Sequence, residues 1–227
     1  MVLGLESPWW KADNHSVMES TTAPRDGTSY IGHPPLIVTL RPVLDLTDDQ
    51  LFEFCQINRD LRIERSAHGE LIVMPPTGGK TSEQNAEITM QLRAWSKRDG
   101  SGTTFDSSGG FLLPNTAVRS PDAAWVRKSR LAPLSAEQRQ KFIPLCPDFA
   151  IEVRSPTDSL STLQEKMKEY LANGTQLAWL IDPESRRVQV YRAGGTVEIL
   201  DRPDTLSGEQ VLPGFVLDLT EVWDPSS

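Results

Sequence analysis

Cysteine is scarce in this sequence of 227 residues: only Cys55 and Cys146 are present. Two thiols so far apart exclude a disulfide framework and a cysteine-based zinc cluster, and they point to a reducing, cytoplasmic setting. Histidine is nearly as scarce, with His15, His33 and His68 alone. None has the His-Glu-x-x-His spacing of a zinc hydrolase. Gly-x-Ser-x-Gly is missing as well, and no histidine beyond a turn could serve as a base, so serine hydrolysis loses support. Positive charge is in deficit, with 23 Lys and Arg against 31 Asp and Glu and a net charge of −8. That balance excludes a strongly basic nucleic-acid binder, though not a local basic surface. No apolar run approaches the ~20 residues of a membrane helix. The opening MVLGLESPWWKADNH has no basic stretch followed by an apolar one, so neither a secretory leader nor a membrane partner is expected.

What is present describes an ordinary folded chain: 38% hydrophobic and 24% charged residues. Residues 1–35 lack a sustained period and end in Gly32-His33-Pro34-Pro35, which reads as a poorly ordered N-terminal extension. Trp9 and Trp10 stand out there as docking or self-association candidates. The folded domain is expected over 36–227. Leu36–Leu40 is a short apolar run. Thr47-Asp48-Asp49-Gln50 has the capping-box pattern, and Leu51, Phe54 and Cys55 continue it as a helical stripe. Two extended runs, 61–65 and 70–74, flank Ala67-His68-Gly69 and predict a hairpin. A helix follows over 81–97, with Ile88, Leu92 and Trp95 on one face. Segments 122–126 and 148–153 read as buried strands. Ser135-Ala136-Glu137-Gln138 is a second capping box. Ser161 is expected to cap a helix running to Asn173, stopped by Gly174. Strands are expected at 176–181, 187–191 and 196–200, with an extended piece near 213–219. The pattern predicts an α/β (mixed α+β) domain built on one sheet.

Gly78-Gly79-Lys80-Thr81 resembles the end of a phosphate-binding P-loop. Met74 stands where that loop needs glycine, and Pro75 and Pro76 lack the amides it uses, so a plain strand-to-helix loop is the better reading.

The carboxylates are more informative. Asp122 opens one apolar strand and Glu152 sits inside another, Phe149-Ala150-Ile151-Glu152-Val153. A carboxylate inside a buried strand is costly unless it is paired or bound to a metal. Two on neighbouring strands could chelate Mg²⁺ or Mn²⁺, which prefer oxygen ligands. The alternative is that Glu152 pairs with Arg154 or Arg119 at a strand edge. On the helix after residue 159, Leu160, Leu163, Met167, Tyr170 and Leu171 share a face. Lys166 borders that face and could carry an ammonium to the carboxylates, or snorkel to solvent. Glu165 and Glu169 fall nearly opposite the apolar face.

MPPTGG, SPDAAWV, CPDFAIEVRSPTDS, LQEKMKEYLANG, LAWLIDPESRRVQVYR and VLPGF, in that order between about Leu46 and Trp223, resemble the Uma-type restriction-endonuclease family of the PD-(D/E)XK nuclease superfamily. The resemblance implies a restriction-endonuclease-like fold: a central mixed sheet flanked by helices, with an additional hairpin. It implies a metal-dependent endonuclease acting on DNA, with Asp122 and Glu152 holding Mg²⁺ or Mn²⁺. Arg154 occupies the usual lysine position of the superfamily pattern, so Lys166 is carried over as the displaced lysine. Arg154 is then a candidate phosphate contact, and Glu64 a third acidic site residue. Lys80 stands where many members have histidine or an acidic residue. A basic cleft would have to come from Lys80, Arg93, Lys97, Arg127, Lys128 or Arg154. Cutting both strands of a duplex implies a homodimer. A binding module on the same fold, without cleavage, is the competing reading. It predicts an ammonium more than ~6 Å from both carboxylates.

Overall fold

The structure is a computed structural model, and it describes residues 34–225. The extension up to residue 33, with Trp9, Trp10, His15 and His33, lies outside the described residues. Along the chain run β1 (Leu36–Val38), α1 (Asp48–Ile57), β2 (Arg62–Arg65), β3 (Leu71–Met74), α2 (Gly79–Asp99), β4 (Gly102–Asp106), β5 (Phe111–Leu112), β6 (Val118–Arg119) and β7 (Ala123–Arg127). Then come α3 (Lys128–Leu131), α4 (Ala136–Gln140), β8 (Phe149–Val153), α5 (Leu160–Ala172), β9 (Leu177–Asp182), β10 (Arg187–Arg192), β11 (Val197–Asp201), β12 (Thr205–Ser207), β13 (Val216–Asp218) and α6 (Thr220–Trp223).

The central sheet has six strands in the order β11-β10-β9-β8-β7-β4. β8 and β9 are parallel and the other neighbours antiparallel, so the sheet is mixed. Both faces are covered, which is why β8 and β9 read as continuous apolar runs rather than alternating ones. Strand alternation sends Ala123, Trp125, Ile151 and Val153 to one core with Ile88, Leu92 and Trp95 of α2. It sends Ala124, Val126 and Ala150 to the other core with Met167 and Tyr170 of α5. Each fully buried large side chain in these cores contributes ~1.5–3 kcal/mol. Gly102 shows how close that packing is: a Cβ there would meet the Trp125 ring at 2.1 Å.

The hairpin forms, with Ile63 opposite Val73. It does not join the central sheet. A second, five-stranded antiparallel sheet takes the order β1-β3-β2-β6-β5, and β12 and β13 form a small ladder of their own. The expectation of one sheet is therefore corrected. The reason is a long-range pairing: Arg65 pairs with Val118, so β6 holds the hairpin just upstream of Asp122.

Local signals fared well. Both capping boxes close, Thr47 with Gln50 and Ser135 with Gln138. Gly174 follows α5 with φ of 110°, a backbone conformation that favours glycine. The cap of α5 is Ser159, however, not Ser161: Ser159 accepts from the Thr162 amide. Asp158 is occupied by Ser155, whose amide and hydroxyl both donate to it, so the chain leaves that turn one residue later in extended form.

Candidate functional site

Asp122 lies immediately before β7, and Glu152 is the fourth residue of β8. Ala123 pairs with Ile151 in the antiparallel register, so one further step sets Asp122 opposite Glu152 on the same face. The Val153 amide donates to Asp122 Oδ2 at 2.9 Å, fixing one carboxylate against the other's strand. Both are buried, with relative exposures of 7% and 4%.

Lys166 comes from α5, one position before the buried Met167. Its Nζ lies 2.9 Å from Glu152 Oε1 and 2.9 Å from Glu64 Oε1. The ammonium therefore reaches the carboxylates, well inside the separation that a binding module without cleavage would show. Tyr170, one turn on, donates its hydroxyl to Glu152 Oε1 at 2.7 Å.

Glu64 arrives from β2 and is more fully engaged. Its Oε1 accepts from the Ser120 amide at 2.8 Å and from Lys166, and its Oε2 accepts from Arg119 at 3.1 Å. Arg119 also donates to Glu169 at 2.6 Å. Burial works against ionisation of Glu64, yet the Lys166 and Arg119 charges and the Ser120 amide bring its carboxyl down to about 2. Glu152 goes the other way. Burial pushes it up to about 7, opposed by Lys166 and helped by the charges of Asp122 and Glu64. Lys166 is held as an ammonium, above its ordinary value, because Glu152 and Glu64 outweigh its burial.

Asp122 Oδ1 faces a cleft of about 430 Å³ lined by Arg62, Thr77, Asn85, Arg93, Asp106 and Asp122 among others. The Asn85 amide donates to Asp122 Oδ1 at 3.1 Å. Arg62 approaches the same oxygen with two contacts of 3.4 Å, but donates to the Ser120 carbonyl at 2.6 Å. Two polar atoms beside Asp122 are buried without a partner among the described residues: Arg62 Nε and Asn85 Oδ1.

Of the expected residues, Asp122, Glu152, Lys166 and Glu64 come together. Arg154 does not join them: it donates to Asp182 at 2.8 Å and to the Asp158 carbonyl at 3.3 Å. The alternative pairing of Glu152 with Arg154 or Arg119 is also corrected. Arg154 serves Asp182, Arg119 serves Glu64 and Glu169, and Glu152 pairs with Lys166. Glu169 is not on a purely solvated face, since the 2.6 Å bond to Arg119 draws it into the network. Of the six basic residues named for a cleft, Arg93 alone lines it. Arg127 faces Asp148, and Lys128 donates to the Gly100 carbonyl.

Arg62, Asn85, Arg119 and Tyr170 were not singled out as site residues. Signals for the first two existed. Arg62 shares the strand face of Glu64 two residues on, and Asn85 lies three residues before Ile88, beside the apolar stripe of α2. The Ser120 amide carries no sequence signal.

The donor set fits a hard divalent cation. Asp122 Oδ1 accepts from Asn85 at 3.1 Å and is approached by Arg62 only at 3.4 Å, and Glu152 Oε2 accepts no hydrogen bond among the described residues. Among the described residues, Glu64, Asp122, Glu152 and Glu169 face three cations, Arg62, Arg119 and Lys166, so within that set one negative charge is uncompensated when all are ionised. A bound cation or a proton on Glu152 would settle it. No group of three or more acidic, histidine or cysteine side chains poised for a metal occurs among the described residues.

The architecture is restriction-endonuclease-like: α/β, a mixed sheet with helices on both faces and an added hairpin. A solved structure from Anabaena variabilis, described as a "putative nuclease belonging to DUF820", has the same fold. Its TM-score is 0.62 at 23% identity, covering 78% of this chain and 97% of that one. The model of the Uma2 family, described as "Putative restriction endonuclease", matches residues 48–220, and the chain belongs to that family. A search of curated proteins found no match. Family and fold together support a nuclease.

Proposed function

We propose that this chain is an endonuclease that hydrolyses phosphodiester bonds in DNA with Mg²⁺ or Mn²⁺, its catalytic domain spanning residues 36–227. The observation that carries the reading is the Lys166 ammonium 2.9 Å from Glu152, beside a second carboxylate, Asp122, immediately before β7. When bound, a divalent cation supplies Lewis-acid polarisation of the scissile phosphate and a water of lowered pKa. Asp122 Oδ1 and Glu152 Oε2 are the oxygens that would hold it. Lys166 aims a positive charge at the same place and offsets negative charge that grows on the phosphate. Glu64 positions Lys166 and stays ionised doing so. Arg154, tied to Asp182, fastens the end of β8 to β9 and would have to leave that pairing, or share it, to reach a phosphate. The reading carries a cytoplasmic setting, and a homodimer for cutting both strands of a duplex, checked by solution mass.

The test is cleavage of supercoiled plasmid and of a single-stranded oligonucleotide with Mg²⁺ and with Mn²⁺. The Asp122→Ala/Glu152→Ala variant, purified identically, runs beside the wild type. Cleavage by the wild type alone is expected. Equal cleavage by both would trace the activity to a contaminant and remove the assignment. Binding without cleavage would favour the second reading, a nucleic-acid-binding module, which the diversion of Arg154 to Asp182 supports.

A further inference from the structure

We infer that Asn85 supplies a third oxygen to the cation held by Asp122 and Glu152; the inference rests on the metal-dependent reading above. Two carboxylates are few for a hard cation, which takes six or more oxygens and draws the remainder from carbonyls and water. Asn85 brings a carbonyl to the right place. It sits on α2 four residues after Thr81 and three before Ile88, and both are buried. The helix therefore fixes its Cβ toward the sheet.

The hydrogen-bond arrangement is incomplete as it stands. Asn85 Nδ2 donates to Asp122 Oδ1, while Asn85 Oδ1 is buried and unpartnered. Buried acceptors without a partner are rare, and each calls for a reason such as an ion or water. A half-turn of the amide exchanges its two ends at little steric cost, because oxygen and nitrogen are nearly the same size. It sets the carbonyl oxygen where Nδ2 now lies, 3.1 Å from Asp122 Oδ1. Two oxygens at adjacent corners of an octahedron with bonds of ~2.1 Å stand ~3.0 Å apart. Without a cation that approach is repulsive, and the amide turns its NH₂ to the carboxylate. With one, both oxygens become ligands. Arg62 does not block the place: its contacts to Asp122 Oδ1 are 3.4 Å, against 2.6 Å to the Ser120 carbonyl. A charge-assisted bond that held the carboxylate firmly would be ~2.7–2.9 Å.

The experiment is Mn²⁺ binding to the full chain, by calorimetry and by loss of the free-ion EPR signal. Wild type is compared with Asn85→Ala, Asn85→Asp and Asp122→Ala/Glu152→Ala, and metal-free melting checks that each is folded. The alanine variant is expected to bind at least about tenfold more weakly, since even an outer partner of a metal ligand is worth that much. The aspartate variant is expected to bind as tightly as wild type or more tightly, because it presents an anionic oxygen there. If alanine melts early, Asn85→Ser, polar but too short to reach, takes its place. Unchanged affinity in the alanine or serine variant overturns the inference and leaves the two-carboxylate site standing. So does an aspartate variant that weakens with alanine, which would make Asn85 only a donor to Asp122. A wild type that binds no better than the double carboxylate variant overturns both this inference and the metal-dependent reading.

Discussion

Two glutamates of the site share one lysine, are equally hidden from water, and have opposite acid–base character. Glu64, at the β2 corner, receives the Ser120 amide, Arg119 and Lys166. Glu152, at the β8 corner, receives Lys166 and Tyr170 on a single oxygen and looks toward Asp122. Burial pushes both carboxyls up. The difference lies in the neighbours: Lys166, Arg119 and the Ser120 amide outweigh burial and hold Glu64 at about 2, whereas Glu152 has Lys166 alone against burial and the charges of Asp122 and Glu64, and rises to about 7. Satisfied charge belongs to the scaffold, and under-satisfied charge marks the corner where the proposed cation would be held.

The largest effect expected from breaking this contrast is on stability. Glu64→Ala leaves Arg119 and Lys166 buried with fewer partners and the Ser120 amide with none. Removing one member of a buried pair costs roughly 3–5 kcal/mol. Glu152→Gln keeps an acceptor for Tyr170 and removes the charge that burial already disfavours, so its cost should stay below about 1 kcal/mol. Urea unfolding of the two variants, without metal, measures the gap. Equal destabilisation would erase the distinction between scaffold and site.

Acid should sharpen the same contrast. The Glu64 carboxyl is depressed in the folded state, from an ordinary 4.5 to about 2. Its contribution is thus present above the unfolded value and is lost as pH falls through the folded one. The loss should total roughly 3 kcal/mol between about pH 5 and pH 2. A Glu64→Gln variant should show a shallower fall across that window, read from unfolding midpoints at successive pH values. Parallel curves would mean that the lysine and arginine do not hold Glu64 ionised.

Sequence reasoning reached one corner more easily than the other. Glu152 was conspicuous because an acidic residue interrupted an apolar strand, and Lys166 because it bordered an apolar helical face. Both signals are local, and burial periodicity exposes them. Glu64 came only through family resemblance: Arg62-Ile63-Glu64-Arg65 alternates like any half-exposed strand. Its partners lie far along the chain, at Arg119, Ser120 and Lys166, and one of them is a backbone amide. The two capping boxes and the ends of α5 were legible to within a residue or two, since caps are written in neighbouring side chains. The second sheet was not, because its assembly depends on Arg65 meeting Val118 across the chain.

The coupling between the corners is the next effect in size. Among the described residues, Lys166 is the one group that touches both carboxylates. A double-mutant cycle of Glu64→Gln with Lys166→Met should return a coupling of about 2 kcal/mol, within the range for residues in one buried network. The same cycle with Glu152→Gln should return less, because Glu152 is partly relieved of its charge by its surroundings. A reversed order would mean that Lys166 belongs chiefly to Glu152.

Tyr170→Phe should give the smallest change, and it tests the Glu152 corner by itself. The ring packs in the α5 core with no residual exposure, and phenylalanine preserves that packing. Only the hydroxyl is lost, along with its 2.7 Å bond to Glu152 Oε1. That oxygen keeps Lys166 at 2.9 Å, so no acceptor is stranded and the cost should be near the ~1 kcal/mol net value of one hydrogen bond. The same bond pins Glu152 Oε1 to α5 and so leaves Oε2 free to face Asp122. Its loss lets the carboxylate turn, and Mn²⁺ affinity should fall by about tenfold, the lower edge for partners that orient a metal ligand. A larger drop in affinity with unchanged stability would show that Tyr170, not Lys166, orients the carboxylate.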